Sequence, residues 1–248
     1  MTRSRTALVT GASRGIGAAI AQALARAGMR VAVHYVRSVD LAEQVLAALP
    51  GDGHILTQGD LRDPDQVRAM VDGAAAELGG LDVLVNNAGV FFAHPIDDTD
   101  YAEWQRAWRD TLEVNLVGPA NVTWCAVRHM PAGGRIINVG SRGAFRGEPD
   151  SPAYGASKAA LAAFGQSLAK RLGGRRIAVT TVAPGFVETE MAGPLDGEHG
   201  AALKAQSPFG RIAKPEEIAA AVAYLASPEA EWASGGILDL NGASHLRM

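Results

Sequence analysis

Seven short apolar runs recur along this chain: Ala7–Thr10, Val31–Tyr35, Ile55–Gln58, Val83–Asn86, Arg135–Val139, Ala178–Val182 and Ile237–Leu240. Longer, alanine-rich stretches separate them, and this alternation limits the possible folds more than any other feature. The runs are apolar nearly throughout, as strands covered on both faces must be. The intervening stretches carry helical patterns: Ile16–Ala27, Val39–Leu49, Pro64–Leu78, a long one near Tyr101–Met130, Pro152–Leu172 and Pro215–Ala226. Gly28 stands where a left-handed helix cap is expected. Asp63-Pro64 and Ser151-Pro152 are capping side chains followed by a proline at the first helical position. The pattern predicts an α/β fold, a doubly wound, seven-stranded parallel sheet with helices on both faces. No linker or low-complexity stretch divides the 248 residues, so one domain spanning 1–248 is expected. Such sheets bind ligands beyond the carboxyl ends of their strands.

Charge and cysteine content remove several classes of function. A formal net charge of -3 gives no electrostatic case for nucleic acid or an anionic membrane. No stretch approaches the roughly 18 apolar residues of a membrane span, and the start shows no apolar leader. The single cysteine, Cys125, cannot form an internal disulfide, which suits a reducing, cytoplasmic setting. Cys125 itself reads as a small core residue. The six histidines show no ligand spacing, so no metal is expected. His94, beside Phe91 and Phe92, reads as a residue of an exposed loop or of a substrate mouth. Trp104 and Trp108, one helical turn apart, read as core or interface.

The segment Thr10-Gly11-Ala12-Ser13-Arg14-Gly15-Ile16-Gly17 follows the first strand and opens the first helix. Gly11 permits a tight turn, Gly15 lets a ligand approach the backbone, and Gly17 allows close helix–strand packing. The helix N-terminus then offers N–H groups to a pyrophosphate. The spacing is G-x-x-x-G-x-G, a variant of the general dinucleotide fingerprint. At the end of the second strand, His34-Tyr35-Val36-Arg37-Ser38 contains no acid to hold the ribose hydroxyls of NAD. Arg14 and Arg37, with Ser38, instead suit a 2′-phosphate, which predicts NADP(H).

Tyr154 and Lys158 lie four apart on the helix that begins at Pro152, and so share a face. A phenol titrates near about 10, and an ammonium on the next turn is expected to pull that value down. A tyrosine so tuned exchanges a proton with a carbonyl or alcohol oxygen.

Taken together, Gly11–Gly17 and Tyr154/Lys158 resemble the short-chain dehydrogenase/reductase family, in its compact single-domain branch with a Rossmann-type sheet. The resemblance runs from Thr6 to Gly242 and implies roles for further residues. Asn86-Asn87-Ala88-Gly89 is similar to the family's sheet-stabilising, adenosine-side motif. Asp60-Leu61 matches the adenine position. Ser141, thirteen residues before Tyr154, matches the catalytic serine, and Asn115 matches the helix-bulge asparagine. Pro184-Gly185-Phe186-Val187-Glu188-Thr189 is similar to the nicotinamide segment, with Val187 and Thr189 facing the carboxamide and phosphates. The implied chemistry makes Tyr154 the acid in carbonyl reduction, steadied by Lys158, Ser141 and a water held at Asn115.

The segment 190–207 occupies the place of the family's substrate lid. The pattern resembles bacterial 3-oxoacyl-carrier-protein reductases, including Phe209-Gly210-Arg211 before Lys214-Pro215-Glu216-Glu217. That likeness implies an acyl carrier protein as a possible partner, with Arg175 and Arg176 as candidate contacts. The 128–134 segment lacks the basic run such reductases often carry, and Tyr101–Trp108 looks extended. His34–Ser38 is also similar to the pteridine reductase subgroup, and a small-molecule carbonyl or alcohol of another kind fits the same motifs. A non-catalytic NADP(H)-sensing regulator is the reading from another class, and the intact set Asn115, Ser141, Tyr154 and Lys158 argues against it. A homotetramer is expected, with Ala159, Ala163 and Gly165 allowing close helix contact and Ile237–Leu240 packing across a second two-fold axis.

Overall fold

Leu8 is buried towards one side of the sheet, while its neighbours Ala7 and Val9 are buried towards the other. The same alternation holds for Val31, Ala32 and Val33, and for Val83, Leu84 and Val85, so both faces are apolar and both are covered. The computed structural model describes residues 4–193 and 196–247. Its strands are β1 (Thr6–Val9), β2 (Arg30–Tyr35), β3 (Ile55–Gln58), β4 (Val83–Asn86), β5 (Arg135–Val139), β6 (Ala178–Pro184) and β7 (Ile237–Leu240). They form one seven-stranded sheet in the order β3-β2-β1-β4-β5-β6-β7, and every adjacent pair is parallel.

Helices α1 (Gly15–Arg26) and α2 (Val39–Ala47) follow β1 and β2, and α3 (Pro64–Leu78) follows β3. Then come α4 (Tyr101–Leu112), α5 (Gly118–His129), the short α6 (Gly143–Arg146), α7 (Pro152–Leu172), α8 (Gly197–Ala205) and α9 (Pro215–Ala226). Residues of α1 and α9 share one core layer with Val9, Val33 and Ile137, and residues of α3 and α5 share the other with Leu8, Leu84 and Ile136. The direction of winding reverses between β1 and β4, which opens a crevice at the carboxyl ends of these strands.

Two local expectations need correction. The long helix near 101–130 is interrupted at Glu113–Val117 by a π-helical turn. The Gly118 N–H reaches back five residues to the Glu113 carbonyl, and Pro119 has no N–H with which to restore the α pattern. Ser151 does not cap α7 with its hydroxyl; its Oγ donates to the Phe92 carbonyl at 2.7 Å. Asp63, by contrast, caps α3 as expected, accepting from the N–H groups of Asp65 and Gln66. Gly28 has the left-handed φ of 80° anticipated for it.

Candidate active site

The glycine loop leaves no space for side chains. A Cβ on Gly17 would lie 2.2 Å from the Gly11 carbonyl oxygen and 2.6 Å from Asn87 Nδ2. Gly11 has φ 62° and its Cβ would meet the Ala88 Cα at 2.9 Å. Thr10, unremarked in the sequence, organises this packing: its Oγ1 accepts from the N–H groups of Asn87 (2.9 Å) and Ala88 (3.1 Å). Asn87 Nδ2 in turn donates to the carbonyls of Thr10 and Gly11. Neither Arg14 nor any other side chain caps α1, so the helix opens with free N–H groups behind Ser13, Gly15 and Ile16.

His34 closes the back of this cradle. The Gly11 N–H donates to its Nδ1 at 2.9 Å, which fixes the proton on Nε2, and Nε2–H donates to the Gly59 carbonyl at 2.9 Å. Burial holds the imidazole below its ordinary value, against opposing effects of the Gly59 bond and Asp60. One buried side chain therefore ties together the ends of β1, β2 and β3. The sequence reading placed no function on it.

Beyond β2, Tyr35 is half-buried, Arg37 is exposed and Ser38 precedes α2 without capping it by its side chain. Arg14 is paired with Glu190 of the lid at 3.3 Å, with both side chains exposed. Asp60 is gripped by Arg62, which holds its carboxyl below the usual carboxylate range with help from Arg37. Leu61 turns its side chain into the core, where it meets Gly118. Thr189 lies against Gly15, so the segment from Pro184 and Gly185 through Val187 returns to the glycine loop. It is held there by Gly185 N–H to the Leu240 carbonyl and by Val187 pairing with Ala213. These groups lie along the crevice, a trough at the carboxyl ends of the strands. A dinucleotide fits it: bare glycine backbone, an uncapped helix start and two exposed arginines are the groups a pyrophosphate and a 2′-phosphate require.

Ser141, Tyr154, Lys158 and Asn115 converge at the other end of the trough. The Ser141 Oγ accepts from the Gly143 N–H at 3.0 Å and acts on the Tyr154 phenol to lower its pKa. Lys158 is 4% exposed, and its Nζ donates to the Val139 carbonyl at 2.8 Å. It stands 5.7 Å from the centre of the Tyr154 ring. A Cβ on Gly89 would lie 3.3 Å from Asn115 Oδ1 and 3.4 Å from Lys158 Nζ, so only a glycine leaves this corner open. Asn115, fully buried in the π turn, accepts from the Val90 N–H at 2.8 Å. Its Nδ2 donates to the Val90 carbonyl and to Ser157 Oγ.

The protonation pattern departs from the expectation of a depressed phenol. Burial pushes Tyr154 up to about 12, with the Ser141 hydrogen bond partly opposing it, and burial pushes Lys158 down to about 8. The ammonium spends its hydrogen bond on Val139 and does not touch the phenol oxygen, so desolvation outweighs its attraction. Tyr154 is thus held as a neutral acid.

His94 also departs from expectation. It is fully buried, and its Nε2 accepts from the Ala153 N–H at 3.2 Å, so a residue 59 positions away caps α7. Its Nδ1–H donates to the Phe92 carbonyl at 2.7 Å, and its ring meets Trp104 edge-on. The loop so fixed presents Phe91 edge-on to the Tyr154 ring at 5.1 Å. Phe91, Phe92 and Met191 are exposed apolar side chains.

A protonated tyrosine and a buried lysine on one helix face, beside a trough that suits a dinucleotide, are the arrangement of a dinucleotide-dependent oxidoreductase. Comparison with known proteins places the chain within that class. Residues 11–245 match the family model described as Enoyl-(Acyl carrier protein) reductase. The chain is 41% identical over 243 residues to cis-4-hydroxycyclohexanecarboxylate dehydrogenase of Sinomonas cyclohexanicum, covering 96% of this chain and 95% of that one. It is 38% identical to a 3-oxoacyl-(acyl-carrier-protein) reductase of Vibrio cholerae over 98% of both. A short-chain dehydrogenase from Burkholderia cenocepacia, solved in complex with NADP, superposes with a TM-score of 0.90 at 40% identity, covering 98% of this chain and 99% of that chain. The chain belongs to the short-chain dehydrogenase/reductase family.

Among the described residues no group of three or more His, Cys, Asp or Glu is placed to hold a metal, and no helix is long and apolar enough to cross a membrane.

Proposed function

We propose that this protein reduces the carbonyl of a small ketone to a secondary alcohol, preferring NADPH, with Tyr154 as proton donor. The observation that carries this reading is the Tyr154 hydroxyl, which burial keeps protonated with Ser141 acting in the opposite sense, on the helix face that also carries Lys158. The cofactor, when bound, supplies the hydride that the carbonyl carbon receives. Ser141 orients the substrate oxygen beside the phenol, so that proton transfer and stabilisation of developing charge act on the same atom. Lys158 supplies a positive charge beside the phenolate as the proton leaves and holds the ribose. A water at the π turn of Asn115 links Lys158 to solvent for reprotonation. Arg37 and Ser38, with Arg14 once Glu190 is displaced, hold the 2′-phosphate.

The relatives support two substrate types, a 3-oxoacyl group and a cyclic hydroxy acid. Docking of an acyl carrier protein through Arg175 and Arg176 has little support, because the chain uses both itself. Arg175 donates to the Met130 and Val127 carbonyls, and Arg176 pairs with Glu231 at 3.0 Å. We therefore read the substrate as a free small molecule in a cytoplasmic enzyme. A homotetramer is also proposed, with a revised interface. Gly165 faces the sheet, where a Cβ would meet Asn138 Nδ2 at 2.9 Å, and cannot serve subunit contact. Ala163 stays exposed on α7, and Val117 and Trp124 lie exposed on the neighbouring helix.

The test is NADPH consumption by the purified protein against a panel of cyclic and linear ketones, with wild type and Tyr154→Phe side by side. Turnover of no ketone in the panel, or equal turnover by both proteins, overturns the reading.

A further inference from the structure

Arg142 follows Ser141 directly, yet it is 3% exposed and lines a half-open cavity of about 260 Å³ that the lid residues Leu203, Gln206 and Ser207 also line. Its guanidinium donates to Ser244 Oγ and, at 2.6 Å, to Gln206 Oε1, and it lies 4.6 Å from the centre of the Phe186 ring. A buried guanidinium ordinarily has a carboxylate beside it, because leaving the charge unmatched in low dielectric is costly. The neighbouring carboxylates are already taken: Glu217 is paired with Arg211 and Asp239 with Arg247, while Arg146 is shared between Glu148 at 3.5 Å and the Gln206 amide oxygen at 3.4 Å. Among the described residues Arg142 makes no ion pair. Burial and the repulsion of Arg146 pull it down to about 10, with Glu148 only partly compensating.

The position of Gln206 shows what is missing. Its Oε1 accepts from Arg142 at 2.6 Å and from Arg146 at 3.4 Å, so one neutral amide oxygen sits between two guanidinium groups. That is the place a carboxylate oxygen would take, with far stronger charge-assisted bonds. Gln206 lies just past α8, in the segment that closes over the substrate, while both arginines flank α6 immediately after the catalytic serine.

We infer that Arg142 and Arg146 form a carboxylate-binding subsite beneath the lid, and that the substrate is an oxo acid whose carboxylate displaces the Gln206 amide. This rests on the reductase reading above for the word substrate, though the anion subsite stands on its own geometry. The fit favours a compact acid, since the cavity holds only a few heavy atoms beyond the carboxylate.

The test pairs binding with kinetics. Calorimetric titration of the NADP-loaded protein with hexanoate and with hexanamide should show binding of the acid only, weakened about tenfold or more in Arg142→Gln and in Arg146→Gln. Gln206→Glu places a carboxylate between the arginines, so it should raise the melting temperature and abolish hexanoate binding. That variant keeps the test open if Arg142→Gln fails to fold. In turnover, the ratio of kcat/KM for five- to seven-carbon oxo acids over their methyl esters should fall about tenfold in Arg146→Gln. Equal binding of acid and amide, or hexanoate affinity unchanged in Gln206→Glu, overturns the subsite. Arginine-dependent hexanoate binding without turnover of any ketone keeps the subsite and removes the reductase reading. Turnover of ketones without arginine-dependent binding does the reverse.

Discussion

The imidazole of His94 accepts the backbone N–H of Ala153 at 3.2 Å, one residue before Tyr154. The loop that brings Phe91 onto the Tyr154 ring is thereby fastened to the helix that carries Tyr154. Replacing His94 with Leu leaves the Ala153 N–H buried without an acceptor, at a cost of about 1–3 kcal/mol. Urea unfolding should show that loss, and kcat should drop while the KM for NADPH hardly moves. His94→Gln, whose amide oxygen reaches where Nε2 stands, should restore most of both. A leucine variant with wild-type stability and kcat would show that the contact is incidental.

The pH profile of reduction should follow Lys158 on its alkaline side. Tyr154 keeps its proton to about 12, whereas Lys158 loses its charge through about 8. Below that value the ammonium is present and the rate is full; above it the rate declines as the stabilising charge disappears. Lys158→Arg should move the decline upward by retaining charge, and Tyr154→Phe should abolish turnover while NADPH still binds. A rate constant level from about pH 6 to about pH 10 would contradict this assignment.

Cofactor preference should depend on Arg37. Charge-assisted bonds to a 2′-phosphate are each worth roughly 1.5–3 kcal/mol, or on the order of tenfold to a hundredfold in affinity. Arg37→Ala should raise the KM for NADPH by about that factor and leave NADH nearly unchanged. Arg14→Ala should act the same way more weakly, because Arg14 must first leave Glu190. Equal losses with both cofactors would make these arginines merely supports of the fold.

Acid should loosen the cofactor cradle through His34. Its folded-state proton affinity lies below the ordinary 6.5, so between those values the unfolded chain binds the extra proton. Stability is therefore complete above about 6.5 and falls as pH drops, because the protonated ring can no longer accept from Gly11. His34→Asn should flatten the melting temperature between about pH 7 and about pH 5. An identical acid slope in the variant would assign the effect elsewhere.

Assembly should depend on the edge beside β7, where Trp232 is 98% exposed and Tyr224 and Leu238 are also open. If the proposed tetramer forms, a Trp232→Ser, Leu238→Lys double variant should reduce it to a dimer in light scattering. A monomeric wild type at micromolar concentration would end the proposal.

Repeating apolar runs made the sheet legible, because burial on both faces leaves an unmistakable pattern. The boundary of β1 shifted to include Thr6, whose N–H and hydroxyl bond Asp82, a polar partnership that an apolar reading passes over. Tyr154, Lys158 and the glycines were legible because their chemistry needs fixed local spacings. His34, His94 and Arg142 were not, since each works through partners 25, 59 and 64 residues away. Ser151 misled for the same reason: the Phe92 carbonyl, distant in sequence, claimed a hydroxyl that local rules assigned to its own helix.

The clasp of His34 on Gly11 and Gly59 has a thermodynamic corollary. With the three loop ends already locked, the dinucleotide docks into a surface that needs no ordering, so little conformational entropy is surrendered on association. Beyond Thr189, the lid is tied to the glycine loop by a solvent-exposed ion pair between Arg14 and Glu190, and this part has its ordering still to do. Cofactor association should therefore carry a modest heat-capacity change, and the larger negative one should accompany the second ligand, when Phe91, Phe92 and Met191 are covered.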